Sequence, residues 1–150
     1  MFDVFHHLRK PLAFLDEAHR VLIKRGRLIL FEPYISVVSS MAYGPFHHEP
    51  ISWHDQIDPG HDPDKSGTYY VAQGNATRIF FKGELSGWSE GWEPIVRDRY
   101  ADLSYLLSGG LRRRAMYPRA WLTGIKSIDG LLSRVPALFA SRCLVCLEKS

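Results

Sequence analysis

What the chain lacks narrows its class before any motif is considered. Its 150 residues include only two cysteines, Cys143 and Cys146, too few for the disulfide framework of a small secreted domain. They form a C-x-x-C that could be a redox pair or half a zinc site, but no second C-x-x-C completes a metal tetrad. The run from Leu138 to Leu147 around them reads as a strand, and residues three apart on a strand face opposite ways. The expectation is a pair of buried, reduced, inert thiols. No apolar run approaches the ~20 residues of a membrane helix: Leu28 to Phe31 meets Glu32 and Pro33 at once and is flanked by Arg25 and Arg27. An aspartate and two histidines among the first seven residues exclude a signal peptide, so a cytoplasmic location is the default. Dense charge of one sign is missing too. The net charge is +3 and the pI near 9.0, with the basic residues concentrated in Arg112, Arg113, Arg114, Arg119, Lys126, Arg134 and Arg142. Nucleic-acid binding calls for a denser basic stripe interleaved with aromatics. Neither nucleic acid nor a membrane is therefore expected as a partner, and Arg112 to Arg114 reads as a solvated turn or a patch for an anionic substrate.

What is present suits one globular domain, 45% hydrophobic and 23% charged, able to bury a core. The spacing of Phe14, Leu15, Ala18, Val21 and Leu22 predicts a helix over 11–25, with Asp16, Glu17, Arg20 and Lys24 outside its apolar stripe. Pro11 suits its first turn, Asp16 and Arg20 stand at i,i+4, and Gly26 stops it after two cations. Leu28 to Phe31 is apolar at consecutive positions, the mark of a strand buried on both faces of a parallel sheet. Its parallel partner can only be Met1 to Phe5, which makes strand, helix and strand a right-handed βαβ unit. A unit that opens halfway into its own sheet implies sequence upstream. From Pro33 to about Pro94 the text is irregular, helical only over 69–82, and a stretch of this length suits a cap or lid. A strand over 95–103, a helix over 118–132 and a last strand over 139–148 complete an α/β chain with no internal repeat.

Several of these segments together resemble a known family. Asp3-Val-Phe-His-His-Leu8, Pro11 to Leu15, Glu17-Ala18, Arg20-Val-Leu22, Gly26-Arg-Leu-Ile29 and Glu32-Pro33 resemble the stretch of small-molecule, class I S-adenosylmethionine-dependent methyltransferases from the fourth strand through the next helix into the fifth. Tyr105 to Gly110 and Ala140 to Glu148 look, more loosely, like the sixth and seventh strands, with Ser104 to Leu111 an unusual turn. The resemblance implies a partial Rossmann-like methyltransferase sheet of the fourth to seventh strands, filling residues 1–150, with 34–94 as an inserted cap. It implies S-adenosylmethionine as cofactor, a small-molecule acceptor, and Asp3 and Phe5 as residues bordering the cofactor. The chain departs from the family in one respect that bears on function: no G-x-G-x-G loop follows a strand. In the family that loop lets backbone approach the cofactor, and an acid ending the next strand grips the ribose. Both would lie upstream, so cofactor binding by this chain alone is expected to be weak or absent.

Ligands in open α/β sheets sit beyond the carboxyl ends of the strands, which here are His6, His7 and Leu8 and then Glu32, Pro33 and Tyr34. A histidine there could take a proton from an acceptor hydroxyl or acid as the methyl group transfers, or it could only shape the pocket or cap the helix. Glu32 and Tyr34 are candidates for substrate contact. His48-Glu49, His54-Asp55 and His61-Asp62, with His47 adjacent, could ligate a metal, but their spacing fits no known ligand pattern. A polar lid with His47 and His48 facing substrate is the better reading, and no metal ligand is assigned. Trp53, Trp88, Trp92, Tyr69 and Tyr70 would wall the acceptor or give the cap a small core. Three hypotheses follow: a methyltransferase missing its cofactor half, a non-catalytic module that pairs with another chain, and a metal-binding protein built on the histidine-rich insert. An uncovered first strand, with Phe2, Val4 and Phe5 and nothing to blunt its edge, implies self-association through residues 1–8.

Overall fold

The computed structural model describes residues 1–46, 51, 53, 54, 56, 57, 74–108 and 114–150, with backbone only for 42–46. The chain is a mixed α/β protein around a three-stranded antiparallel sheet. Strand β1 spans Arg27–Pro33, β2 Trp92–Tyr100 and β3 Arg142–Lys149, in the order β1-β3-β2. The last strand lies in the middle because it can be buried on both faces: all of Arg142, Cys143, Val145, Cys146, Leu147 and Glu148 are buried, which only a central strand achieves. Arg27 pairs with Glu148 and Pro33 with Arg142 along one edge, Trp92 with Lys149 and Tyr100 with Arg142 along the other. A bulge between Pro94 and Val96 absorbs the proline, which has no N–H for the ladder. Both cysteines are free and buried, and burial, with the Glu32 charge adding to it, pushes the Cys143 thiol up to about 12.

The expected parallel pairing survives as a single bridge. Phe2 pairs parallel with Phe31, held by Asp3 N–H to Phe31 O at 3.0 Å and Phe31 N–H to Met1 O at 3.1 Å. The strand then stops, because Asp3 turns to φ 51° and Phe5–His7 coil into one 3-10 turn. The backbone N–H groups that would have continued a ladder go instead to the Glu32 carboxylate. Burial of β1 on both faces also holds only toward its end: Leu30, Glu32 and Pro33 are buried, while Ile29 is 51% exposed.

Helix α1, Pro11–Val21, has Pro11 in its first turn as expected but ends one turn early. Leu22 turns extended and packs on the core. Arg25 adopts φ 61°, and Gly26 is required because a Cβ there would stand 2.7 Å from Ile23 O. Arg20 pairs with Glu17 at 2.6 Å rather than with Asp16. Helix α2, Val37–Phe46, was not anticipated, since its opening apolar residues carry no helical period. Ser36 and Ser39 exchange bonds at its start, with Ser36 N–H to Ser39 Oγ at 2.6 Å and Ser39 N–H to Ser36 Oγ at 3.2 Å. Within the helix expected over 69–82, Asn75–Phe80 forms α3 and 69–73 lie outside the described residues. All six α3 residues are buried. Of its polar members, Thr77 Oγ1 accepts from Ile35 N–H at 2.9 Å and Arg78 pairs with Glu84 at 2.6 Å.

Of the strand expected from the resemblance at Tyr105 to Gly110, the described residues 105–108 are not extended, and 109–110 lie outside the described residues. Leu103–Leu107 is helix α4, because Asp102 caps it and buried Asp129 accepts the N–H groups of Leu103 and Ser104 at 2.7 and 3.2 Å, the donors a helix start leaves open. A 3-10 turn Arg119–Trp121 leads into α5, Leu122–Leu132, and α6, Pro136–Phe139, precedes β3. The core joins Phe5, Leu15, Leu30, Ile79, Phe80, Trp92, Val145 and Leu147, which seats α1, α3 and the 3-10 turn against the end of β1.

Candidate functional site

The site grows from one buried acid. Glu32, next to last in β1, is 1% exposed, and there an ionised carboxylate persists only if donors replace water. Four do. Oε1 accepts Val4 N–H at 3.0 Å and Phe5 N–H at 2.9 Å, and Oε2 accepts His6 N–H at 3.3 Å and the His6 Nδ1 at 2.6 Å. Three of these are the open N–H groups at the start of the Phe5–His7 turn, a natural anion seat. Burial alone would raise the Glu32 carboxyl, but the His6 ring and the Phe5 and Val4 amides outweigh it and hold it below its ordinary value.

This carboxylate fixes the histidine. A four-fold acceptor is the ionised form, so Nδ1 carries the proton it donates. That leaves Nε2, across the ring, as the nitrogen that Glu32 does not engage. His6 is 3% exposed, and the half-buried His7 ring stacks on it at 4.1 Å between centroids. A carboxylate orienting an imidazole by Nδ1 is an arrangement suited to general acid or base work. It equally clamps the N-terminal turn to β1.

The other candidates fall in separate surroundings. Tyr34 is buried; its hydroxyl accepts from Arg99 at 3.3 Å, and the Arg99 guanidinium lies over the Tyr34 and Phe81 rings at 5.7 and 5.6 Å. Asp3 pairs with Arg142 of β3, whose guanidinium lies 4.4 Å from the Tyr105 ring. Phe5 is fully buried against Phe14 and Phe80. Neither residue fits a bound cofactor: the Asp3 carboxylate is committed to an internal cation and the Phe5 ring to the core. His47 and His48 lie outside the described residues, as do His61 and Asp62. His54 is exposed, and no group of three or more His, Cys, Asp or Glu positioned for a metal occurs among the described residues. No helix among them is long and apolar enough to cross a membrane.

The sequence reading missed Arg99 and Arg142. Arg99 could have been found from the alternation Arg97-Asp98-Arg99 on a strand; Arg142 had no signal beyond its position in the last strand.

No family model matches this chain. Nor does any curated protein or solved structure. The chemistry of the His6–Glu32 pair therefore rests on its own geometry.

Proposed function

We propose that this chain is the acceptor side of an S-adenosylmethionine-dependent methyltransferase acting on a small molecule, with His6 as the proton acceptor and Glu32 as the residue that positions it. The observation that carries the reading is the 2.6 Å contact between His6 Nδ1 and Glu32 Oε2, made by two residues of the sequence pattern on which the resemblance rests. Further support comes from the order in the chain of the bridge at Phe2 and the strands 27–33, 92–100 and 142–149, an order that the fourth to seventh strands of a partial Rossmann-like sheet would share. Methyl transfer asks mainly for positioning, because the sulfonium donor is already reactive. This chain's part is to hold Nε2 where a hydroxyl or carboxylic acid proton can reach it. The glycine-rich loop is not among these residues and Asp3 and Phe5 are otherwise engaged, so no step is assigned here to the cofactor itself.

The test is transfer from radiolabelled S-adenosylmethionine to a panel of small hydroxy and carboxylic acids by the protein as its gene encodes it. Transfer is expected to fall about 100-fold in His6→Ala, in the range of general base catalysis, with cofactor affinity unchanged by calorimetry. Residues 1–150 alone should show no measurable affinity for the cofactor; stoichiometric, low-micromolar binding would place the cofactor site within them. Equal activity in wild type and His6→Ala would remove the catalytic role.

A second reading has one observation on its side. Phe2 and Val4 are 66% and 45% exposed beside a backbone edge that ends at Asp3, which suits a non-catalytic module that pairs with another chain. Absence of transfer under every condition, with a defined dimer in solution, would favour it.

A further inference from the structure

Helix α5 carries a wide apolar stripe, and only part of it is used by the fold. Ile125 and Asp129 are buried. Trp121, at the end of the 3-10 turn that leads into the helix, and Ile128 and Leu131 lie beside Ile125 on the side away from Asp129 and are 64%, 48% and 62% exposed. Gly124 falls in the same outer stripe, and a Cβ there would meet nothing within 4 Å, so internal packing does not explain a glycine that costs a helix interior ~1 kcal/mol. Val135 and Leu138, in and beside α6, and Met116 before the 3-10 turn are exposed as well. The cations near this stripe stand at its two ends, Arg114 and Arg119 before α5 and Arg134 after it, all exposed, with Lys126 exposed across the helix. Between Leu103 and Leu147 the sole acid is Asp129, buried and spent on the amides of Leu103 and Ser104. No carboxylate on this stretch offsets the cations.

We propose that the outer face of α5 docks on an anionic membrane surface, lying in its plane with Trp121, Ile128 and Leu131 in the headgroup boundary. The charge decides the occupant. A second copy would bring the same cations face to face, whereas acidic headgroups complement them. An amphipathic helix edged by arginines, with a tryptophan at the start of its apolar stripe, is the pattern of interfacial binding. At 11 residues the helix is too short to span a bilayer of ~30 Å, so contact is confined to the surface. The inference is independent of methyl transfer.

The experiment is co-sedimentation of the protein with vesicles of phosphatidylcholine alone and of phosphatidylcholine with phosphatidylserine. Binding is expected to the anionic vesicles only, and to weaken about tenfold or more near 1 M salt, where screening acts over ~3 Å. Ile128→Glu with Leu131→Glu should cut it about tenfold or more, the effect of withdrawing two aliphatic side chains. Val21→Glu, at an exposed apolar position on α1, should leave it unchanged. Circular dichroism checks that each variant is folded. Failure to bind anionic vesicles overturns the proposal. So does equal binding by the Ile128/Leu131 variant, or capture by soluble polyglutamate that matches the vesicles, which would assign the face to an acidic protein. A dimer dispersed by the same double substitution would overturn it in favour of a second copy.

Discussion

At the scale of single residues, Glu32 is the position on which local structure and chemistry both depend. Its carboxylate holds the start of the Phe5–His7 turn and the His6 ring together. Replacing it by Gln keeps one acceptor but turns an amide NH2 toward the His6 donors. Glu32→Gln is therefore expected to cost about 2–4 kcal/mol, the range for breaking buried charge-assisted bonds. The pH response follows from the direction of its shift. The folded carboxyl lies below its ordinary value of 4.5, so its contribution is complete above that pH and is lost as pH falls through the folded value. The stability gap between wild type and Glu32→Gln in urea melts should be largest near neutrality and shrink below about pH 4.5. An equal gap at both ends would mean that Glu32 acts by shape alone.

At the scale of elements, α1 is finished by the other end of the chain. Lys149 Nζ donates to His19 O at 2.7 Å and Leu22 O at 2.8 Å, satisfying carbonyls that a helix C-terminus leaves open and placing a cation at the negative end of its dipole. Trp92 packs edge-on to the His19 ring at 5.3 Å, so β2 meets the same helix end. Lys149→Met keeps the aliphatic stem and removes the donors. It should cost about 1–2 kcal/mol and speed hydrogen exchange in the last turn of α1 more than at its start. Uniform acceleration along the helix would mean that the lysine supports the whole fold rather than this terminus.

At the scale of the molecule, the sheet has an exposed side at residues 1–3. Met1 and Asp3 face Phe31, which leaves Phe2 directing its backbone groups outward, and its ring stacks on Phe31 at 4.6 Å while remaining mostly exposed. An apolar edge without lysine or proline is a template for strand addition. Light scattering after size exclusion is expected to find a dimer or larger species that Phe2→Lys converts to monomer. A monomeric wild type would remove the idea. If the dimer persists in Phe2→Lys and dissociates in the Ile128/Leu131 variant instead, the contact lies on α5.

The sequence by itself determined the positions of the strongly patterned segments. The apolar stripe of Phe14, Leu15 and Ala18 is the core side of α1, with Val21 left exposed at its end, and the β-rich run from Cys143 to Leu147 is a strand, because a core rewards one face of a helix or both faces of a central strand whatever the neighbours are. Glu32 and His6 were legible as polar residues at strand ends. Their bond was not, since they stand 26 residues apart and only the fold brings them together. The same limit applies to strand direction. Consecutive apolar residues in Leu28 to Phe31 predict a burial that is met only at Leu30, and they carry no sign of the sense of the partner; here β3 returns antiparallel between β1 and β2. Tyr105 to Leu107 has strand composition and is helical because Asp129, 25 residues away from Ser104, accepts its first donors. Local pattern fixes what must be buried; which backbone donors meet which distant acceptors is decided only when the chain is closed.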